Sequence, residues 1–481
     1  MAKVRPTGQA DDVRLTDPRR ATPVAAAAPT VAAAPYGGPW EAVVRVRDEC
    51  AGLVRSVVDA AGFGLRVLVA SGRPFVAGRG HLVRPPLRRN DLAQGSASLL
   101  PPAHPTPPGD AFAELRSVHS RCAPPSRAVW RRAGVFAGAF TERAAVSVCQ
   151  DDGLSARQVA EALVRLAALG VLVPHDDPGA GGEPRYLMPR AARAFGQTRL
   201  AAAGETDAAR DRHGRHCHGV AVAAEALWSA GLQRDAARLV REEREALAAF
   251  LGAVPRRPAD AEAAMETALA LWFWWAAHDR APEGASHVLA LLPRLPSDSP
   301  LRVRGQWLAG WLLAAADPGT AGRLLGLAWP AAVLAGDDAL VGRIAHAQGT
   351  LAWRRGDPAA AEAHYRSAAE TIPDHAPAGP SPVISLAALA VVQARTSPAR
   401  AARTARRALA RPAAHHDAWA AALAHCALAH AEHHAGDTPR ARHRARRALA
   451  RLDTPLDPPH ARAALDDLLR HTAPRAGGRT D

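Results

Sequence analysis

The spacing of apolar positions changes several times along this chain, and each change marks a different element. Ala42-Val-Val-Arg-Val46 and Leu65-Arg-Val-Leu-Val69 read as strands, and between them Leu53, Val54, Val57 and Val58 recur at helical spacing. Strand, helix, strand over about 30 residues is the smallest parallel crossover unit, so residues 40–98 predict a small α/β piece. One such unit cannot cover both faces of its own sheet, and the piece should be marginal by itself. Before it, residues 1–38 mix Pro, Gly, Ala and charge without any period, which predicts a disordered leader. After it, the proline-rich run Leu99 to Pro108 predicts a semi-rigid linker over residues 99–110.

From residue 111 to 204 the pattern is helical, with two short strands near its end. Thr141 is placed to cap one helix, and Ser155 with Gln158 forms a capping box at the start of the helix that Gly170 stops. Val171 to Val173 and Arg185 to Met188 flank a loop rich in Gly, Asp and Pro, the pattern of a β-hairpin. Three helices followed by such a hairpin describe a winged helix.

From Glu205 the helical period runs on to about residue 470, and a repeat emerges within it. Asp317-Pro318, Asp357-Pro358, Ser397-Pro398 and Asp437-Thr-Pro439 recur every 40 residues, each between two Ala-rich amphipathic segments. Gly349, Ala361, Tyr365, Ala368 and Pro373 occupy the small, small, aromatic, small and terminating positions of a tetratricopeptide-like unit, with its turn at Gly356-Asp357. The last unit keeps that logic in Ala429, Gly436, Ala441 and Ala448. The segments Leu271 to Leu292 and Gly305 to Leu327 read as degenerate earlier units. The predicted fold is therefore mainly α: a small α/β piece, a winged helix, then a tetratricopeptide-like α-solenoid over 205–470 and a disordered Gly/Arg-rich tail over 471–481. Such an array would offer a concave face to a helix or extended segment of a partner.

Composition changes this picture in three ways. The sequence carries a net charge of +14 almost entirely as arginine, which favours acidic partners and makes nucleic acid an alternative to protein. Five scattered cysteines without a C-x-x-C pair indicate neither a disulfide framework nor a zinc ribbon, and fit a reducing cytoplasm. No apolar run approaches the ~18 residues of a membrane span; the most apolar, Leu271-Trp-Phe-Trp-Trp275, is far shorter, so no membrane contact is expected.

Candidate chemistry is sparse. Lys3 is the sole lysine and Val4 follows it, so this sequence contains no G-x-x-x-x-G-K-[ST] phosphate loop. Arg400, Arg403 and Arg407 form one stripe at helical spacing and Arg440, Arg444 and Arg447 another; these six are the candidate partner-binding residues. His213, His216, Cys217 and His218, and separately His425, His430, His433 and His434, read as polar faces of solvated helices rather than metal ligands. Trp272, Trp274, Trp275, Trp307 and Trp311 read as core between hairpins. No metal and no cofactor is expected.

Trp130 to Phe140, Ala144 to Cys149, Arg185-Tyr186 and Arg193-Ala-Phe195 through Gly204-Glu205 together resemble the winged-helix segment of STAND-type regulatory ATPases. These are the large actinobacterial LuxR-type and SARP-type regulators with an NB-ARC-like motor. In weaker form, Val43 to Cys50 resembles their Walker B strand, with Asp48 where the magnesium-linked acid would sit, and Leu65 to Pro74 resembles the next strand with its sensor Ser71 and Arg73. The likeness covers about residues 41 to 300.

Departures from the family pattern decide what the resemblance implies. The Walker A strand and loop are missing, Arg45 and Arg47 interrupt the Walker B run, and the stretch from Arg89 to Ala111 is too short for the family's helical subdomain. Asp48, Ser71 and Arg73 are therefore read as vestigial, since a lone acid without a phosphate cradle organises no magnesium–nucleotide complex. The expectation is a non-enzymatic regulatory or adaptor protein that has lost ATP binding and binds a protein through its repeats. Two alternatives stand beside it: a transcriptional regulator touching DNA through the helix bearing Arg157, Gln158, Glu161 and Arg165, and one half of a split STAND regulator.

Overall fold

The structure, a computed structural model, describes the backbone of residues 30–33, 41–45 and 66–70, and then residues 109–175, 184–451 and 459–472. Asp48, Ser71 and Arg73, the Pro-rich run through Pro108, and residues 473–481 of the expected tail lie outside the described residues, as does most of the expected leader. The chain divides into two units, Met1–Ser96 and Ala97–Asp481. In the first, β2 (Glu41–Arg45) and β3 (Arg66–Ala70) pair in parallel with Val43 opposite Leu68, the pairing that a crossover connection demands. Within the segment expected to be a leader, β1 (Thr30–Ala33) adds antiparallel to β2, placing Val31 opposite Val44.

The second unit begins with α1 (Gly109–Arg121) and α2 (Pro124–Ala133), then β4 (Phe140–Thr141), α3 (Glu142–Cys149), α4 (Ala156–Ala168), β5 (Val173–His175), β6 (Arg185–Leu187) and α5 (Arg190–Ala202). Local chemistry sets the boundaries. Thr141 Oγ1 accepts from the Ala144 amide at 3.1 Å, and the Ser155–Gln158 box is closed at both ends. The three strands order β4-β6-β5, both pairs antiparallel. Strand β5 starts at Val173, two residues later than the apolar run suggests, because Val171 and Leu172 complete the helix stop. Gly170 sits at φ +69°, the Val171 amide donates to the Leu166 carbonyl at 2.9 Å, and both side chains are buried. Trp130, Phe136, Phe140, Leu163 and Leu166 form the centre of this part, with Trp130 Nε1 donating to the Ala192 carbonyl at 2.9 Å.

Helices then follow one another: α6 (Thr206–Ser229), α7 (Gln233–Glu242), α8 (Arg244–Leu251), α9 (Pro258–Ala270), α10 (Trp272–Ala277) and α11 (Ala281–Leu291). They lead into α12 (Pro300–Leu313), α13 (Pro318–Leu334), α14 (Asp338–Arg354), α15 (Pro358–Thr371), α16 (Pro382–Ala394) and α17 (Pro398–Leu409). The last are α18 (Ala413–His416), α19 (Ala418–His434), α20 (Thr438–Arg451) and α21 (Pro459–His471). The protein is mainly α, and this region is a helical-repeat array. Its period is visible atom by atom. Asp317, Asp357 and Asp437 each cap an outer helix by accepting from the amide three residues on, at 3.0, 2.9 and 3.2 Å. The outer helices α13, α15, α17 and α20 bury the same three positions: Ala321, Leu325 and Ala328; Ala361, Tyr365 and Ala368; Ala401, Ala405 and Ala408; Ala441, Ala445 and Ala448. Small residues at the flanking positions let each outer helix lie close to its inner partner. Gly349 on α14 meets the Tyr365 ring so closely that a Cβ there would sit 2.8 Å from it.

The inner side of the array differs from the open concave face that the repeats predict. Helices α14, α16 and α19 are buried almost all the way round; α16 alone buries Val383, Ile384, Leu386, Leu389, Val392 and Gln393. The reason is a chain of aromatic contacts across the interior. Trp419 of α19 lies 6.1 Å from Trp228 of α6 and 6.3 Å from Trp272 of α10; Trp272 reaches Trp311 of α12, which meets His346 of α14 edge-on at 5.9 Å. The array thus curls until its late helix touches its first, with its own tryptophans packed between them. Trp272, Trp274, Trp275 and Trp307 are all at most 5% exposed.

Two side chains of the first hairpin, Gln233 and Glu225, hold the closure. Gln233 at the start of α7 donates from Nε2 to Asp417 Oδ1 at 2.8 Å and accepts the Trp419 amide at 3.1 Å. Glu225 of α6 accepts the Ala378 amide at 3.0 Å, in a loop pinned from below by Arg343, whose guanidinium donates to the carbonyls of Ala376 and Pro377 at 2.8 and 3.0 Å.

Candidate interaction surface

With the inner helices buried, the outside of the outer helices is a broad exposed surface. The repeat fixes which positions face outward, so residues 40 apart can be compared directly. At one outward position stand Leu327, Ser367, Arg407 and Arg447; at its neighbour stand Gly326, Arg366, Arg406 and Arg446. Burial is periodic while outward chemistry is not. On α13 it is apolar: Leu327 is 61%, Val333 51% and Leu334 88% exposed, and Arg323 is the helix's one charged residue. On α17 and α20 it is basic.

The six arginines singled out from spacing divide into two groups. Arg403, Arg407 and Arg447 are exposed on the outer faces of α17 and α20. Arg400 reaches sideways to Glu362 of α15 at 2.7 Å, and Arg440 pairs with the capping Asp437 at 3.2 Å. Arg444 turns inward: its Nε and Nη2 both reach the Glu432 carboxylate at 2.9 Å, and Glu432 is nearly buried. It is a strut between α20 and α19, an arrangement that holds the guanidinium fork in a single geometry. Arg406 and Arg446, off the three- and four-residue stripes, are also exposed, beside Arg407 and Arg447. Comparing the repeats at their common period, rather than following a single stripe, would have found them.

The helix α4 places Arg157 and Arg165 in solvent, as its register requires, but Arg157 Nε donates to Glu161 at 3.0 Å along the same face, and Gln158 is spent on the cap. The histidine readings need correction. His213 and Cys217 are buried, not solvated, with Sγ 3.8 Å from Nε2, because α6 packs this face against Phe136 and Ala246. Burial holds His213 down at about 4 and pushes the Cys217 thiol well above its ordinary range. His216 and Arg185 instead converge on the buried Glu243, at 3.5 and 3.6 Å. His430 is half-buried too, and burial lowers its pKa. Among the described residues no group of three or more His, Cys, Asp or Glu could hold a metal ion, and no helix is long and apolar enough to cross a membrane.

A cavity of about 520 Å³ lies where α2 begins, lined by Arg127, Arg131, Arg132, Asp151 and Asp152 among others. Three of its charged side chains are engaged with one another or with Glu205: Arg132 pairs with Asp151 and Glu205, and Arg131 with Glu205 at 2.6 Å. The two guanidiniums hold the Glu205 carboxyl down at about 2. This cluster ties α2 to the turn before α6.

No protein-family model matches the chain, and no curated protein does. Among solved structures, it is similar to a Signal Transduction ATPase with Numerous Domains carrying a tetratricopeptide repeat sensor, from Pyrococcus horikoshii. The identity is 10% and the TM-score 0.43, over 89% of this chain and 69% of that one.

Proposed function

We propose that this chain is a regulatory or adaptor protein, without catalysis or ATP binding of its own, that binds a partner protein on the outer surface of its helical repeats. The observation that supports this most is the apolar outer face of α13. Leu327 stands in solvent where the next repeats carry Ser367, Arg407 and Arg447, and Val333 and Leu334 extend its apolar surface along the same helix, although the buried positions of all four outer helices follow one rule. Exposed leucines on one helix face cost solubility and offer apolar area to a partner, about 1.5–3 kcal/mol for each side chain fully buried. Loss of nucleotide binding rests on the sequence, which has no lysine in a glycine-rich loop.

The test is affinity capture with the full chain, run beside a Leu327→Asp/Leu334→Asp variant. The proposal expects a protein retained by the native chain and released by the variant, while Arg157→Gln/Arg165→Gln leaves capture intact. Capture indifferent to the α13 changes contradicts it. The reading as a DNA-binding regulator acting through α4 would show the opposite dependence; the Arg157–Glu161 pair, which sets a carboxylate among the arginines, weighs against it.

A further inference from the structure

We infer that the outer faces of α17 and α20 form a second binding surface, for the phosphodiester backbone of a nucleic acid, read without regard to base sequence. Arg403, Arg406 and Arg407 on α17 and Arg446 and Arg447 on α20 are all exposed, and none has an acidic partner among the described residues. The 40-residue period sets Arg406 and Arg407 at the same outward positions as Arg446 and Arg447, so the two successive outer helices display matching pairs of guanidiniums.

Several of the acids near this surface are engaged elsewhere. Neither α17 nor α20 contains Asp or Glu. Glu432 is held by Arg444, Asp437 caps α20 and pairs with Arg440, Asp417 is buried at the array's closure, and Glu362 takes Arg400 and Arg366. Among the described residues, the charges carried by these two helices are of one sign.

The choice of a polyphosphate over an acidic protein follows from what lies between the arginines. The inward positions are alanines, and no large apolar side chain on either helix is exposed among the described residues. A protein interface needs buried apolar or aromatic anchors at its centre, which this face does not offer. Phosphate binding needs none, because its free energy comes from releasing condensed counterions, and a planar guanidinium takes phosphate oxygens in pairs. Neither helix carries Phe, Tyr or Trp, the strongest platforms for unpaired bases, so contact falls mainly on the backbone and duplex is the fitting form. This surface stands apart from the α13 face in residues and in chemistry, and it does not depend on the partner-protein reading.

The experiment is fluorescence anisotropy of the full chain with short labelled DNA and RNA duplexes of unrelated sequence across a salt series. Binding should be alike for all sequences, and should weaken with salt at a log–log slope of about 0.9 per phosphate contacted. Arg406→Gln/Arg407→Gln/Arg446→Gln/Arg447→Gln should reduce affinity by about tenfold or more at low salt and flatten that slope by roughly three to four. The matching Arg→Lys variant, which keeps the charge, should retain the slope and so exclude a folding defect. Arg157→Gln/Arg165→Gln should change nothing. Native affinity in the glutamine variant, loss caused instead by the α4 changes, or equal binding of a polyglutamate peptide of matched charge would each overturn the inference. Capture of the protein partner through α13 is read separately, so the two proposals fail independently.

Discussion

Gln233 and Asp417, separated by 184 positions in the sequence, share a 2.8 Å hydrogen bond that joins the first hairpin of the array to one of its last helices. Asp417 accepts the Ala420 amide as well, at 2.8 Å, so the cap of α19 and the closure of the array depend on one carboxylate. Gly231 makes the approach possible: it has φ +83°, and a Cβ there would stand 2.7 Å from the His416 carbonyl oxygen.

Opening this closure should be costly. Gln233→Leu removes a donor to a buried carboxyl and should destabilise by about 1–3 kcal/mol, while Trp419→Ala leaves a cavity between Trp228 and Trp272 and should cost about 3–5 kcal/mol. Urea unfolding monitored by circular dichroism measures both. If Trp419→Ala is as harmless as a surface change, the interior is not closed as described.

Asp417 also gives the closure a pH signature. Burial raises its carboxyl above the usual range, more than its hydrogen bonds lower it. A carboxyl whose folded pKa is raised contributes stability that is complete below its unfolded pKa and is lost as pH rises through the folded value. Asp417→Asn keeps the cap and accepts from Gln233, so it should remove this decline and make stability in the weakly acid range less pH-dependent than in the native chain.

His346 works in the other direction. It is wholly buried, bonded through Nδ1 to Ser385 Oγ at 3.0 Å, and burial holds it down at about 4. For a base depressed in the folded state, stability is complete above the unfolded value near 6.5 and falls as pH drops towards 4, by about 3 kcal/mol over the whole window. His213 adds a fall of the same sign. Unfolding curves at neutral and weakly acid pH should show the loss, and His346→Gln should recover a large part of it.

Gly349 should tolerate no branched side chain. The Tyr365 ring and its hydroxyl bond to Thr350 at 3.1 Å leave it no room to retreat, so Gly349→Val should destabilise by about 1–3 kcal/mol despite removing a helix glycine. Thermal unfolding of the full chain decides it.

The repeat was legible because packing between neighbouring hairpins is local and recurs: the caps at Asp317, Asp357 and Asp437 and the alanines below them follow from spacing alone. The closure was not, because Gln233, Asp417 and Trp419 make no pattern within any window of sequence and meet only after the array has curved. The same blindness made Arg444 look like part of a surface stripe. Its partner Glu432 lies on another helix, twelve residues earlier, and only the packing of α20 on α19 shows which way the guanidinium turns. His213 and Cys217 looked solvated because α6 has little amphipathic contrast, and their cover comes from Phe136 and Ala246, on segments before and after it.

The most direct test of the account is photocrosslinking in cells, with a photoreactive amino acid placed at Leu334 on α13 and, as a control, at Ala359 on α15. Both sites are exposed, so neither placement disturbs the core. One discrete adduct with another protein is expected from Leu334 and none from Ala359. An absence of adducts at Leu334, or adducts formed only with a second copy of this chain, contradicts it.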